Sequence, residues 1–216
     1  MCPARWLIFP AADRVSALEV RVPASLARLL APTCDRRHPI GMGMITDWGS
    51  TASERGQWFP CDPRLDAPDD VLFRAVNIAA PPELVFRWLC QLRAAPYSYD
   101  LVDNFGRRSP RGLTPGLEQL EVGQRVMRIF TLVDFEVGRH LTLELTDAVS
   151  RRLFGDLVVT YRVTPAAQGA RLVVKMVVRR PRGPLRLLSG LLPAGDLVMM
   201  RKQLLTLKRL AEATAS

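Results

Sequence analysis

The sequence predicts an α+β domain: a curved antiparallel β-sheet wrapped around one long C-terminal helix, with short helices after the first strand. Three observations lead there. A β-rich stretch at 71–79 runs into Pro81-Pro82 and an apolar helical pattern. Between residues 126 and 178, successive alternating segments are joined by short turns, which implies antiparallel pairing. Near the end, Leu197, Met200, Leu204, Leu207 and Ala211 recur at spacings of 3, 4, 3 and 4, the stripe of an amphipathic helix.

Taken in order, residues 1–44 form an N-terminal extension without clean periodicity. It is expected to be flexible or weakly docked, and Met42 and Met44 are alternative starts. The domain is expected to span 45–212. Its lead-in, 45–70, is rich in turn formers, with Thr51 to Glu54 fitting a capping box and Trp48, Trp58 and Phe59 expected to anchor it. The first strand holds Leu72, Phe73, Val76 and Ile78. Leu84, Val85, Trp88, Leu89 and Leu92 then recur at helical spacing over 82–93, with Pro82 and Glu83 suited to the first turn. Val126 to Val137 reads as one strand, 141–146 and 156–164 alternate cleanly, Pro165 to Gly169 is a hairpin loop, and 172–178 returns. Residues 181–192 link to the closing helix, where Pro193 and Asp196 favour the start and Val198 and Leu205 widen the apolar stripe.

Composition narrows the function classes. The 216 residues are 48% apolar, enough for a core, and no run of 18 apolar residues suggests a membrane span. The N-terminus lacks the pattern of a secretory signal, so a cytoplasmic location is expected. Cys2, Cys34, Cys61 and Cys90 are widely spaced and the histidines are only His38 and His140, poor material for a metal site; no metal or other cofactor is expected. The net charge of +9 is concentrated in 179–216 and rests on arginine, without any nucleic-acid-binding motif. No nucleic-acid partner follows. A solvated helix face explains most of that charge, and weak contact of 179–209 with an anionic membrane is the sharper alternative. Nothing in the sequence sets the oligomeric state.

The string Phe73-Arg-Ala-Val-Asn-Ile-Ala-Ala-Pro-Pro-Glu-Leu-Val-Phe-Arg-Trp-Leu-Cys-Gln-Leu92 resembles the opening strand and proline-led helix of the SRPBCC superfamily. That superfamily includes START-related lipid-binding domains, polyketide cyclases and aromatases, and plant Bet v 1-like proteins. Tyr97 to Pro110 and Leu192 to Leu205 are more narrowly similar to an uncharacterised bacterial, mainly actinobacterial, subgroup. The resemblance covers about residues 45–212. It implies the helix-grip fold and a cavity between sheet and C-terminal helix for a hydrophobic or amphipathic, lipid- or polyketide-like molecule. Cyclase or aromatase chemistry and peripheral lipid binding at a membrane surface are alternatives on the same fold, which fold analogy does not separate.

The candidate site centres on 96–111, a polar and aromatic stretch set against an apolar scaffold. Tyr97, Tyr99, Asp100, Asp103 and Asn104 offer phenol, carboxylate and amide groups; an aspartate desolvated in a pocket can act as acid or base. Trp88, Tyr161 and Met199 complete the cavity candidates, the last as an adaptable thioether on the closing helix. The competing expectation is structural: Asp103 and Asn104 turn the chain, and Arg107 and Arg108 pair on the surface. No catalytic residue can be assigned, because no serine or cysteine nucleophile motif and no phosphate loop is present.

Overall fold

Alternation of side chains across one strand sets up both faces of the sheet. In β1 (Asp70–Ile78), Leu72, Arg74, Val76 and Ile78 point one way and Phe73 and Ala75 the other. Six antiparallel strands follow the spatial order β1-β6-β5-β4-β3-β2, where β2 is Arg125–Val126, β3 Phe130–Glu136, β4 His140–Leu145, β5 Asp156–Ala166 and β6 Gly169–Arg179. The computed structural model describes residues 43–99, 108–182 and 192–216, all within one unit, His38–Ser216. The extension expected before residue 43 lies outside the described residues.

Among the described helices, α1 is Gly43–Thr46, α2 Ala52–Arg55, α3 Pro82–Cys90, α4 Ala148–Phe154 and α5 Leu192–Ala215. The capping box at Thr51 is present: the Glu54 N–H donates to the Thr51 hydroxyl, and the Thr51 N–H donates to the Glu54 carboxylate at 2.7 Å. Helix α3 buries Val85, Phe86, Trp88, Leu89 and Cys90 and continues through a 3-10 turn to Arg93. Helix α5 packs against β1 and α3, burying Met200, Leu204, Leu207 and Ala211. Its C-terminal end is fastened by Glu212, which accepts from the Ala79 N–H at 2.8 Å, and by Lys208, which donates to the Asn77 carbonyl at 2.8 Å. This is the helix-grip architecture.

The sheet therefore has two interiors. Its concave face meets α3 and α5 in the main core, with Leu72, Met176, Val159, Leu143 and Leu132 forming one row across five strands. The convex face is covered by Phe59, Cys61 and Leu65 of the lead-in, packed on Phe73, Val158, Val173 and Val177.

Four expectations are corrected. The 126–137 segment is two strands, because Met127 and Arg128 take left-handed backbone angles (φ 47° and 67°) that break the pairing. Trp58 is exposed and anchors nothing in the core, and Val198 and Leu205 face outward instead of widening the buried stripe of α5. The β4–β5 connection is not a short turn; it holds α4, capped by Asp147, whose carboxylate accepts from the Ser150 N–H at 2.8 Å. Gly155 ends α4 in a conformation open to glycine alone (φ 86°, ψ −164°), with space for no Cβ: one would lie 2.0 Å from the Arg179 carbonyl oxygen.

Candidate functional site

Between the concave face of the sheet and the first turns of α5 lies a cavity of about 700 Å³. It opens into a second lobe of about 670 Å³, the two sharing Ile129, Phe154, Leu157, Met176, Asp196 and Met199. Strand alternation supplies Leu157, Val159 and Tyr161 from β5 and Met176 from β6. Helix α5 supplies Met199, Met200 and Gln203 at helical spacing, and the left-handed turn at Met127 and Arg128 closes one end. The walls are mostly apolar, with a few convergent polar groups, as expected of a small-molecule site.

One of those polar groups is an ion pair. Arg74 points inward from β1, 1% exposed, and its guanidinium donates to Asp196 Oδ2 at 2.8 Å. It also donates to the carbonyls of Thr46 (2.7 Å) and Phe73 (2.8 Å). Asp196 lines both lobes and retains 17% side-chain exposure, facing the cavity. Burial pushes its carboxyl up to about 6; Arg74 opposes the shift without cancelling it. The same burial lowers the Arg74 guanidinium, with Asp196 opposing. Among the described residues Arg74 is the only partner the Asp196 carboxylate has, and it engages Oδ2 alone.

The second polar group is a hydrogen-bonded dyad. Tyr161 donates its phenol proton to Gln203 Oε1 at 2.8 Å, and Gln203 Nε2 donates to the Pro96 carbonyl at 2.6 Å. Desolvation raises the Tyr161 phenol far above its ordinary range, so it stays protonated as a donor.

Of the residues singled out in the sequence, Tyr161 and Met199 line the cavity. Tyr97 is buried beside it, edge-on to Trp88 with ring centroids 6.1 Å apart, and it contributes to a smaller basic groove with Arg111, Lys202 and Arg209. Trp88 sits in the core, donating its indole N–H to Thr214 at 3.3 Å. Tyr99 is exposed, with the Lys202 ammonium 6.0 Å from its ring centre. Asp100, Asp103 and Asn104 lie outside the described residues. His140 pairs with Asp134 at 3.2 Å near the β3–β4 turn, away from the cavity.

Arg74 and Gln203 were not singled out from sequence, and Asp196 was named only as favouring the start of α5, whose first turn holds no acidic residue. For Arg74 a signal existed: it occupies an inward position of an alternating strand between Leu72 and Val76, where a charge demands a partner. Among the described residues, no cluster of His, Cys, Asp or Glu could hold a metal, and no helix is long and apolar enough to cross a membrane.

A family model described as "Polyketide cyclase / dehydrase and lipid transport" matches residues 73–212. A comparison with curated proteins finds no match. Among solved structures, the chain is similar to a protein of Chromobacterium violaceum (16% identity, 66% of this chain and 96% of that one, TM-score 0.43). It is also similar to a hypothetical protein of Helicobacter pylori (12%, 74% and 95%, TM-score 0.46). A third is the di-domain ARO/CYC StfQ from the steffimycin biosynthetic pathway (11%, 67% and 51%, TM-score 0.43), of which this chain spans about half.

Proposed function

Because the chain belongs to the SRPBCC-type polyketide cyclase/dehydrase and lipid transport family, we propose that it binds an amphipathic small molecule, lipid- or polyketide-like, in the cavity between sheet and α5. The observation that carries this is the pairing of apolar walls with one partly open carboxylate: Leu157, Met176, Phe154 and Met199 surround Asp196. An apolar body fits the walls, and a hydroxyl or other donor on the ligand satisfies the carboxylate. A ligand carboxylate or phosphate at that point would meet repulsion.

Native mass spectrometry of the purified chain tests the proposal by release of a bound lipid or polyketide-like molecule. Titration with the neutral dye Nile red tests it without knowledge of the ligand. Leu157→Trp, which fills the cavity, is expected to weaken dye binding by about tenfold or more. Val158→Ala, one residue away on the convex side, lowers stability without touching the cavity and leaves binding intact. Equal binding by wild type and L157W overturns the proposal.

A second reading, cyclase-type catalysis, is favoured by the Asp196 carboxyl, which burial brings near neutrality where a group can both give and take a proton. On that reading Asp196→Asn retains Nile red and loses turnover of a poly-β-carbonyl substrate; undiminished turnover sinks it.

A further inference from the structure

Helix α4 does the opposite of what a core helix does. It buries only Ser150 and turns Val149, Leu153 and Phe154 outward, at 68%, 47% and 39% exposure. Val149 and Leu153 are four residues apart and share a face. Exposed apolar residues elsewhere include Val71 and Val122, and Trp58 and Val137, which line a separate groove beside the β3–β4 turn. Those on α4 adjoin a fourth: Phe154 and Val198, itself 53% exposed, line the same lobe of the cavity. Phe154 thus stands at the rim of the cavity, with Val149 and Leu153 exposed beside it on the same short helix.

On its other side α4 borders a basic groove. Arg151, Arg152, Arg179, Arg180 and Arg182 line it with a single carboxylate, Asp156. Arg151 and Arg179 share Asp156, at 2.5 and 3.6 Å, and Arg180 is held by Asp70 at 2.7 Å. Arg152 and Arg182 are exposed and have no acidic partner among the described residues. A short helix with protruding aliphatic and aromatic side chains, backed by uncompensated arginines, complements an anionic bilayer. The apolar side chains enter the acyl boundary and the guanidinium groups meet the phosphates. A protein partner would instead need a large, closely fitting surface, and four apolar side chains do not make one.

We infer that α4 and the adjoining arginine groove form a docking surface for an anionic membrane, seating the cavity mouth against the lipid. This rests on the reading of the cavity as a ligand site and adds the place where ligand exchanges. It assigns the contact to α4 and the ends of β5 and β6 rather than to the basic face of α5.

The test is sedimentation of the full chain with vesicles of phosphatidylcholine alone or containing phosphatidylglycerol. Wild type is expected to bind the anionic vesicles and not the neutral ones, and to be released by added salt. Val149→Ser with Leu153→Ser is expected to weaken binding about tenfold. Arg152→Gln with Arg182→Gln is expected to weaken it by roughly 25-fold, about fivefold for each lost charge. All four positions are exposed, so both double variants should keep the wild-type circular dichroism and bind Nile red normally without vesicles.

No binding to anionic vesicles, or wild-type binding by both variants, overturns the inference while leaving the cavity reading to its own dye titration. Two further outcomes also overturn it. Displacement by millimolar inorganic phosphate at constant ionic strength would make the groove a site for free anions. A dimer that dissociates on the Val149 and Leu153 changes would give the face to a second copy.

Discussion

The two faces of the sheet each bury one cation, and they use it differently. On the convex face Lys175 pairs with Asp62 at 2.5 Å and lies over Phe59 and Phe73, about 5.5 and 5.4 Å from the ring centres. The lead-in packs over the ammonium, while Asp62 keeps 27% of its side chain exposed at the surface. On the concave face Arg74 meets Asp196, whose remaining oxygen looks into a cavity. The same strands and the same alternation therefore produce an ion pair whose carboxylate reaches solvent on one side and one whose carboxylate reaches a cavity on the other. An ion pair at the surface edge of the lead-in fixes its packing; one left half-satisfied at a cavity wall is available to a ligand.

Removing each cation in turn should break that symmetry most visibly. Arg74→Met leaves Asp196 buried without its counter-charge and strips three carbonyl contacts, a loss of about 3–5 kcal/mol at neutral pH by urea denaturation. Lys175→Met puts an apolar chain among aromatic rings and leaves Asp62, 27% exposed and still accepting from the Phe59 N–H, able to reach water; about 1 kcal/mol or less is expected. Similar losses at the two sites would show that Asp196 reaches water as readily as Asp62 does.

The pH dependence of that difference comes next in size. The folded-state value of Asp196, about 6, lies above its ordinary 3.8, so between those values the folded chain holds a proton the unfolded chain has released. Stability from this group is full below about pH 3.8 and falls as pH rises through 6, by about 3 kcal/mol in all. Asp196→Asn cannot titrate. Wild type minus D196N, followed by urea midpoints, should therefore decline across that window and level off above it. A flat difference would mean that Asp196 is fully hydrated and that the cavity is open water. The Arg74→Met loss should shrink on the acid side, since a protonated Asp196 no longer needs the guanidinium.

The contrast between the faces also separates what the sequence disclosed from what it withheld. Strand alternation and the α5 stripe are local patterns, and they announced the sheet and the closing helix. The Arg74–Asp196 pair joins residues 122 apart, so only the folded register brings them together. Helix α4 was invisible for the reason that makes it interesting: with Ser150 as its one buried residue, Ala-Val-Ser-Arg-Arg-Leu-Phe has no apolar repeat facing a core. The break at Met127 and Arg128 was missed because neither residue belongs to the types that favour left-handed backbone. The composition of 96–111 marks it as a site; its described part puts Tyr97 in the core and Tyr99 at the surface and contributes Pro96 and Ser98 to the cavity wall, which is otherwise drawn mainly from β5, β6 and α5.

The finest comparison lies between neighbours on β5. Thr160 faces the convex interior, its hydroxyl 3.0 Å from that of Thr142, both fully buried. Tyr161 faces the cavity and donates to Gln203. Thr160→Val leaves the Thr142 hydroxyl without its partner where no water can enter, so a loss of about 1–2 kcal/mol is expected, unchanged by any ligand. Tyr161→Phe leaves Gln203 Oε1 without its donor, but at a cavity wall where water or a ligand hydroxyl can take the vacated place. The expected loss is smaller, about 0.5–1 kcal/mol, and recovered when the cavity is filled by a hydroxyl-bearing ligand. Thermal melts of the two variants with and without such a ligand decide the matter. If Y161F loses as much as T160V and regains nothing on ligand addition, Gln203 is sealed from the cavity and belongs to the core.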